Sequence, residues 1–324
     1  MSASSAVVLV TPRSFRGADA GAVARLEDAV GEVRYNDLGR PLTGAELADR
    51  LTGVDGLLAG VDEIDAGVFD AAPELRVVAR YGVGVDRVDL AAATRHGVTV
   101  TTTPGVNADA VAELTLLLML ALCRLLPAAT REVRAGGWPS LPGRELGARP
   151  VGLVGLGRIG LRVATAVRSL GAEVVAHDPY ADPARAAAAG VRLVGLAELR
   201  EVSDIVSLHV PATAETRGMV DRGFLAALRP GALLVNTARG ALVDEEALLW
   251  ALDDGPLAGA ALDTLREEPP RPGHPLVMHE RVLVTPHLGG HTAEATAAMA
   301  RIAVDELLAV LDGRPPRFPC GDPP

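Results

Sequence analysis

The chain of 324 residues contains no lysine, so all 31 of its Lys+Arg positions are arginine. That absence excludes Schiff-base catalysis, a lysine general base and the lysine of a phosphate-binding P-loop. Cysteine is scarce as well. Cys123 and Cys320 give neither a disulfide framework nor zinc-ligand spacing. Aromatic residues make up 3% of the chain, and no basic run offsets a formal net charge of -10, which argues against nucleic acid or an anionic membrane as partner. The longest apolar run, LTLLLMLALC between Glu113 and Arg124, is too short to span a bilayer. The opening MSASSAVVLVTPRS lacks a basic n-region and reads as a first strand, so the expected location is the cytoplasm.

What is present is alternation. At 49% hydrophobic, the length suits two domains better than one. In the first hundred residues AVVLV, GLLAG, RVVAR and GVTVT read as strands, while AGAVARLEDAV and VDLAAATRHG read as helices, the second closed by Gly97. Such alternation implies a parallel sheet covered by helices on both faces. After the breaker TTTPG a long helix is predicted over about 107–126, followed by the polar link RAGGWPSLPGRELGARP. A second alternating region runs from VGLVGLGRIG to VLVTPHLGG. The last predicted helix, about 292–311, is expected to have no strand after it.

The second region opens with PVGLVGLGRIGLRVATAVRSLGAEVVAHDP, a complete βαβ pattern. Gly155, Gly157 and Gly160 form G-x-G-x-x-G: the first permits a tight turn, the second lets a pyrophosphate approach, and the third packs helix against strand. Arg158 and Ile159 then begin a helix whose free N–H groups face the phosphates. Gly171 closes that helix, and Asp178 stands at the end of the next strand, where an acid accepts hydrogen bonds from an adenosine ribose. A carboxylate there repels a 2′-phosphate, so the expected cofactor is NAD.

Three further polar signals sit at the ends of predicted strands, where open α/β sheets bind ligands. They are Arg239 in VNTARGALVDEEAL, Asp263 with the Glu267/Glu268 pair in ALDTLREEPP, and His287 in VLVTPHLGGHT. Singly, each reads as an edge salt bridge, a solvated acid or a loop histidine. Together they supply what hydride transfer to a 2-oxo acid requires. An arginine clamps the carboxylate, a histidine moves the proton, and a carboxylate fixes the histidine's tautomer and favours its charged form. His287 and His291 are four apart, but Gly289 and Gly290 between them oppose a helix and no acidic third ligand is near, so no metal is expected.

From about residue 5 to 312 the chain resembles the D-isomer-specific 2-hydroxyacid dehydrogenases. The resemblance is carried by RYGVGVDRVDL, TPGVNADAVAE, VGLVGLGRIG, NTARGALVDEEAL, ALDTLREEPP and TPHLGG. It implies an α/β protein of two doubly wound domains, a Rossmann NAD-binding domain inserted into a discontinuous flavodoxin-like substrate domain. The expected boundaries are 1–103 and 291–324 for the substrate domain and 104–290 for the NAD domain with its interdomain helix. The resemblance also implies Arg239, Glu268 and His287 as the catalytic set, choosing Glu268 over Glu267, and Asp263 near the nicotinamide amide. For the cofactor it adds His209, Val210, Pro211, Thr216, Thr237, Ala238, Gly289 and Gly290. For a small 2-hydroxy or 2-oxo acid it implies Arg80, Tyr81 and the backbone amides of Val83 and Gly84, besides Arg239 and His287. A homodimer through the NAD domain is implied too. The chain departs from the family pattern in having Ala59 and Gly60 where phosphoglycerate-using members carry an arginine, Arg87 in place of an asparagine, and His291 where serine or alanine is usual. An alternative is an NAD(H)-sensing corepressor of the same fold, which the short tail DGRPPRFPCGDPP disfavours.

Overall fold

Runs of four to six valine, leucine and alanine residues recur along the chain, and in the computed structural model, which describes residues 3–321, they form strands buried on both faces. In chain order the strands are β1 (Val7–Val10), β2 (Glu32–Tyr35), β3 (Gly56–Ala59), β4 (Val77–Arg80), β5 (Thr99–Thr101), β6 (Val151–Val154) and β7 (Val174–His177). They continue with β8 (Arg192–Leu193), β9 (Ile205–Leu208), β10 (Ala232–Asn236), β11 (Leu257–Leu262), β12 (Val282–Val284) and β13 (Pro319–Cys320). The chain divides into two units, one made of residues up to Asn107 together with those from Gly290 on, the other of Ala108–Gly289.

In the first unit the strand order is β13-β5-β4-β3-β1-β2, parallel except at β13. Without β13 this is the flavodoxin order 2-1-3-4-5. The helix Ala293–Leu311, N-capped by Thr292, packs Ala300, Val304, Leu307 and Leu311 against Val8, Val10, Leu58 and Val77 on one face of the sheet. In the second unit the order is β12-β11-β10-β9-β6-β7-β8, all parallel. Counted from β6, this is the Rossmann order 3-2-1-4-5-6 with one more strand at the edge. Alternate residues of one strand serve opposite cores here: Leu153, Val235 and Ala261 face one, Val154, Leu234 and Ala260 the other.

Three sequence expectations need correction. A strand does follow the last helix. Pro319 and Cys320 pair antiparallel with Thr101 and Val100, held by the buried carboxylate of Glu306, which accepts from Arg317 Nε and Phe318 N. A two-residue edge strand in a proline-rich tail has no periodicity to betray it. The long helix predicted to reach residue 126 ends at Cys123. Leu125 turns left-handed at φ 54°, and a second helix, Leu126–Arg134, starts with Pro127 in its first turn, 65° from the axis of the first. Residues 127–133, between the predicted helix and the polar link, are therefore helical. The strand β2, EVRY, is a partly charged edge strand that an apolar-run criterion passes over.

Candidate active site

In an open parallel sheet, side chains with access to a ligand sit beyond the carboxyl ends of the strands, next to the point where strand order reverses. In the second unit that point lies between β6 and β9. The predicted residues of this unit follow the ends of β6, β7, β9, β10, β11 and β12.

After β6, Gly155 has φ 98°, and a Cβ there would fall 2.6 Å from the His209 carbonyl oxygen. A Cβ on Gly160 would fall 2.3 Å from the Gly155 carbonyl oxygen. Gly157 differs: a Cβ there would meet nothing within 4 Å, so the space above this turn is open. Gly157 is also the N-cap of the helix Arg158–Ser169 and makes no side-chain cap bond. Two glycines demanded by backbone contact and a third facing open space at an uncapped helix N-terminus fit a pyrophosphate cradle.

Asp178 follows β7. Its Oδ2 accepts the Leu156 amide (2.8 Å), inside the glycine turn, and its Oδ1 accepts the Tyr180 amide (2.9 Å). The acid thus organises the glycine turn. After β9, burial lowers the His209 pKa from 6.5 to about 4, leaving the imidazole uncharged at neutral pH with Nε2 3.0 Å from Ser207 Oγ. Val210 reaches back to Gly155, and Thr216 Oγ1 donates to the Pro211 carbonyl (2.6 Å), closing the loop that leaves β9.

Arg239 is presented by a turn that Asn236 closes from both sides. Asn236 Oδ1 accepts the Ala238 amide (3.0 Å) and its Nδ2 donates to the Arg239 carbonyl (2.8 Å). Arg239 Nη1 donates to the Ala238 carbonyl (2.7 Å). Thr237 anchors the turn below, its Oγ1 2.8 Å from Thr115 Oγ1 in a buried contact. Asn236 was not among the predicted site residues, although an asparagine where a strand runs into a turn is the signal for such a closure.

His287 is one of the two non-glycine residues at positive φ among those described, at φ 54°. That conformation costs free energy and persists only where the surroundings impose it. Here Asp263 imposes it. The His287 amide donates to the Asp263 carbonyl (3.0 Å), the Leu288 amide to Oδ1 (2.7 Å) and the Gly289 amide to Oδ2 (2.8 Å), while Thr285 Oγ1 also meets Oδ1 (2.6 Å). Three consecutive amides thus converge on one buried aspartate, so Asp263 builds the turn that aims the histidine. The His287 ring, 39% exposed, places Nδ1 2.8 Å from Glu268 Oε2. Glu268 Oε1 accepts the Leu265 amide (3.0 Å). Glu267 is exposed, so the geometry makes the choice between the two acids that spacing left open. Nδ1 faces a carboxylate and therefore carries the hydrogen, leaving Nε2 for exchange with a ligand.

In the first unit, Arg80 is buried and serves the loop that follows β4: Nε donates to the Gly84 carbonyl (3.0 Å) and Nη1 to the Ala59 carbonyl (3.0 Å). Tyr81 donates its hydroxyl to the Thr296 carbonyl (3.0 Å), and Val83 is exposed. At the end of β3, buried Asp62 accepts the Gly60 amide (3.1 Å) and the Leu42 amide (3.0 Å) as well as the Thr11 hydroxyl. Ala59 and Gly60 present no guanidinium there. His291 is exposed, and among the described residues no group of three or more His, Cys, Asp or Glu could hold a metal ion.

A family model described as "D-isomer specific 2-hydroxyacid dehydrogenase, NAD binding domain" matches residues 116–289. The chain belongs to the D-isomer specific 2-hydroxyacid dehydrogenases. The matched residues lie within the Ala108–Gly289 unit, which carries the glycine turn and Asp178. A glyoxylate reductase of Thermofilum pendens is 42% identical over 284 residues, 85% of this chain and 84% of that protein. A D-3-phosphoglycerate dehydrogenase of Mycobacterium tuberculosis is 45% identical over 278 residues, 84% of this chain but 51% of the relative. The chain therefore spans about half the length of the curated phosphoglycerate dehydrogenases it matches. Among solved structures, a Thermus thermophilus protein superposes with TM-score 0.87 at 42% identity, over 97% of this chain and 100% of that one. A Treponema pallidum D-lactate dehydrogenase does so with TM-score 0.79 at 29% identity, over 98% and 100%.

Replacing Asp178 tests the cofactor side. We expect the wild type to prefer NADH over NADPH by about 10²-fold or more, from the repulsion between a carboxylate and a 2′-phosphate. Asp178→Ala should narrow that ratio mainly by weakening NADH about tenfold, equivalent to roughly 1.4 kcal/mol. Fluorescence titration with both nucleotides measures this. A wild type that binds NADPH as well as NADH overturns the assignment.

Proposed function

We propose that the protein catalyses the NAD-dependent interconversion of a small 2-oxo acid and its D-2-hydroxy acid. The observation that carries this reading is the 2.8 Å contact between His287 and Glu268, at the carboxyl end of the sheet that also presents Arg239 and the glycine turn. Bound NADH supplies the hydride for the carbonyl carbon. Arg239 pairs its planar fork with the acid's carboxylate and polarises the neighbouring carbonyl. His287 gives a proton from Nε2 to the carbonyl oxygen in reduction and accepts one from the hydroxyl in oxidation. Glu268, on Nδ1, fixes the tautomer and offsets the charge that the ring carries when both nitrogens are protonated.

For the substrate we infer a small, unphosphorylated acid. The end of β3, where an arginine would meet a phosphate, holds Ala59 and Gly60; Asp62 and Thr11 take the Gly60 amide, and the nearby Arg80 and Arg87 donate to the Ala59 and Val61 carbonyls. With NADH and a panel of 2-oxo acids, kcat/KM for glyoxylate or hydroxypyruvate should exceed that for 3-phosphohydroxypyruvate by about tenfold or more, the scale of one lost charged contact. The opposite order overturns the substrate reading. NADH binding with no acid reduced would return the protein to a sensing role.

We also propose a homodimer through the NAD-binding unit. Leu117, Leu125, Leu126, Val133 and Trp138 are exposed on or after the two bent helices, a concentration of apolar surface that monomers seldom leave in water. Among the described residues no single helix is long and apolar enough to cross a membrane.

A further inference from the structure

Glu268 lies in a proline-rich segment. After β11 the chain runs LREEPPRPGHPL, residues 265–276, and the prolines at 269, 270, 272 and 275 offer no amide donors. Yet the carboxylate at 268 must stay within hydrogen-bond distance of the His287 ring. Within the segment the Leu265 amide meets that carboxylate, and the stretch on either side is tied down from outside.

Glu245 does so at two points. It is the first residue of the helix Glu245–Asp253 and follows Arg239 by six residues. Its Oε1 accepts the Arg266 amide (2.9 Å), and its Oε2 lies 3.3 Å from Nε2 of His274, whose side chain is 9% exposed. A carboxylate only accepts, so His274 Nε2 carries the hydrogen. His274 Nδ1 is buried and has no hydrogen-bond partner, which leaves the Glu245 contact to orient this ring. The amides of Leu265 and Arg266 thus diverge, the first to Glu268 and the second to Glu245. Nearby, Gly240 abuts the same segment so closely that a Cβ would come 2.0 Å from the Leu265 carbonyl carbon.

The bland account of a glutamate at a helix start is that it serves the helix. That work is already done by Asp244, whose Oδ1 accepts the Glu246 amide (3.0 Å) and the Ala247 amide (3.1 Å). We propose that Glu245 is instead a positioning residue. By gripping residues 266 and 274 it brackets Glu268 and sets its carboxylate against His287 Nδ1, in register with Arg239 on its own segment. The inference rests on the reading of His287 as the proton-transfer group.

Glu245→Gln offers one acceptor to two N–H groups that both need one. We expect kcat for 2-oxo acid reduction to fall about 10- to 30-fold, the scale seen when a group orienting a functional side chain is lost, with NADH affinity and acid KM within about twofold of wild type. Because Glu245 acts through Glu268, the Glu245→Gln/Glu268→Gln double variant should be no slower than Glu268→Gln alone. A helix-stabilising role predicts the reverse, a lowered Tm, unchanged kcat for the folded protein, and losses that multiply. His274→Gln keeps an N–H donor and should restore most of the activity that His274→Leu loses, a comparison that stands if Glu245→Gln fails to fold. A readout independent of turnover is the downfield proton resonance of the His287 Nδ1–H, assigned by its absence in His287→Gln. In Glu245→Gln it should broaden or vanish. An unchanged resonance, or unchanged kcat in both Glu245→Gln and His274→Leu, overturns the proposal. If the resonance vanishes while the wild type reduces no 2-oxo acid, the dehydrogenase reading fails and the clamp stands.

Discussion

Arg239→Lys is expected to lower kcat/KM for the 2-oxo acid by about 10²- to 10³-fold, or roughly 3–4 kcal/mol of transition-state stabilisation, with NADH affinity within about twofold. Lysine keeps the charge but loses the planar fork, so a bidentate pairing with a carboxylate becomes a point contact. The turn that presents residue 239 survives the exchange, because the guanidinium's bond to the Ala238 carbonyl is one of several that hold it. Asn236 bonds the backbone of Ala238 and Arg239, and Thr237 is tied to Thr115. Tm should therefore change little, and the loss should be shared between kcat and acid KM. Initial-rate kinetics with NADH saturating make the measurement. A kcat/KM within about threefold of wild type would return Arg239 to a structural role.

The second large effect is expected at Glu268→Gln, where kcat/KM should fall about 30- to 100-fold, the upper part of the range for removing a group that orients a reacting imidazole. The carboxylate offers two acceptors, one to the Leu265 amide and one to His287 Nδ1, whereas the amide offers one acceptor and one donor. If its oxygen stays on Leu265, an NH₂ faces Nδ1, and the imidazole hydrogen moves to Nε2. In that tautomer the ring cannot accept the hydroxyl proton, and oxidation stops. If the amide turns over, the Leu265 N–H loses its partner and the segment carrying the group loosens. Either arrangement harms reduction as well, because the protonated ring presents Nδ1–H, which an NH₂ cannot accept and the turned oxygen accepts only by leaving the Leu265 amide. Kinetics in both directions for Glu268→Gln and Glu267→Gln decide the matter. The exposed neighbour should stay within about twofold of wild type. Equal losses in the two variants would show that the acid has been misassigned.

Much of this site was legible in the sequence because its pieces are local. The βαβ pattern, the three glycines and Asp178 lie on one continuous stretch, and their roles depend on turns and helix ends formed by neighbours in the chain. Arg239 and His287 announced themselves as single polar residues where apolar strands stop, since in a parallel sheet that position is the ligand edge. The family patterns then picked Glu268 from a pair that spacing could not separate. In the structure the acid that touches His287 is Glu268.

The break at Leu125 was not legible. Arg124 ends the apolar run but suits a helix as well as a break, and the left-handed backbone at Leu125 and the packing of Leu118, Met119 and Leu122 in the core show where the first helix stops. The strand at Pro319 and Cys320 exists because Glu306, on the helix before it, fixes the chain beside β5. Asp263 reads in sequence as a candidate ligand group, whereas the fold directs the two amides after His287 onto its carboxylate. The sequence by itself determined the alternating α/β pattern and the glycine turn, because periodicity and strand ends are properties of neighbouring residues, and the family resemblance added the two doubly wound domains. Tertiary structure decided how Asp263, Glu268 and Glu245 are used, because each closes a hydrogen bond to a segment about twenty or more residues away, and local pattern carries no information about which donor the folded chain will bring there.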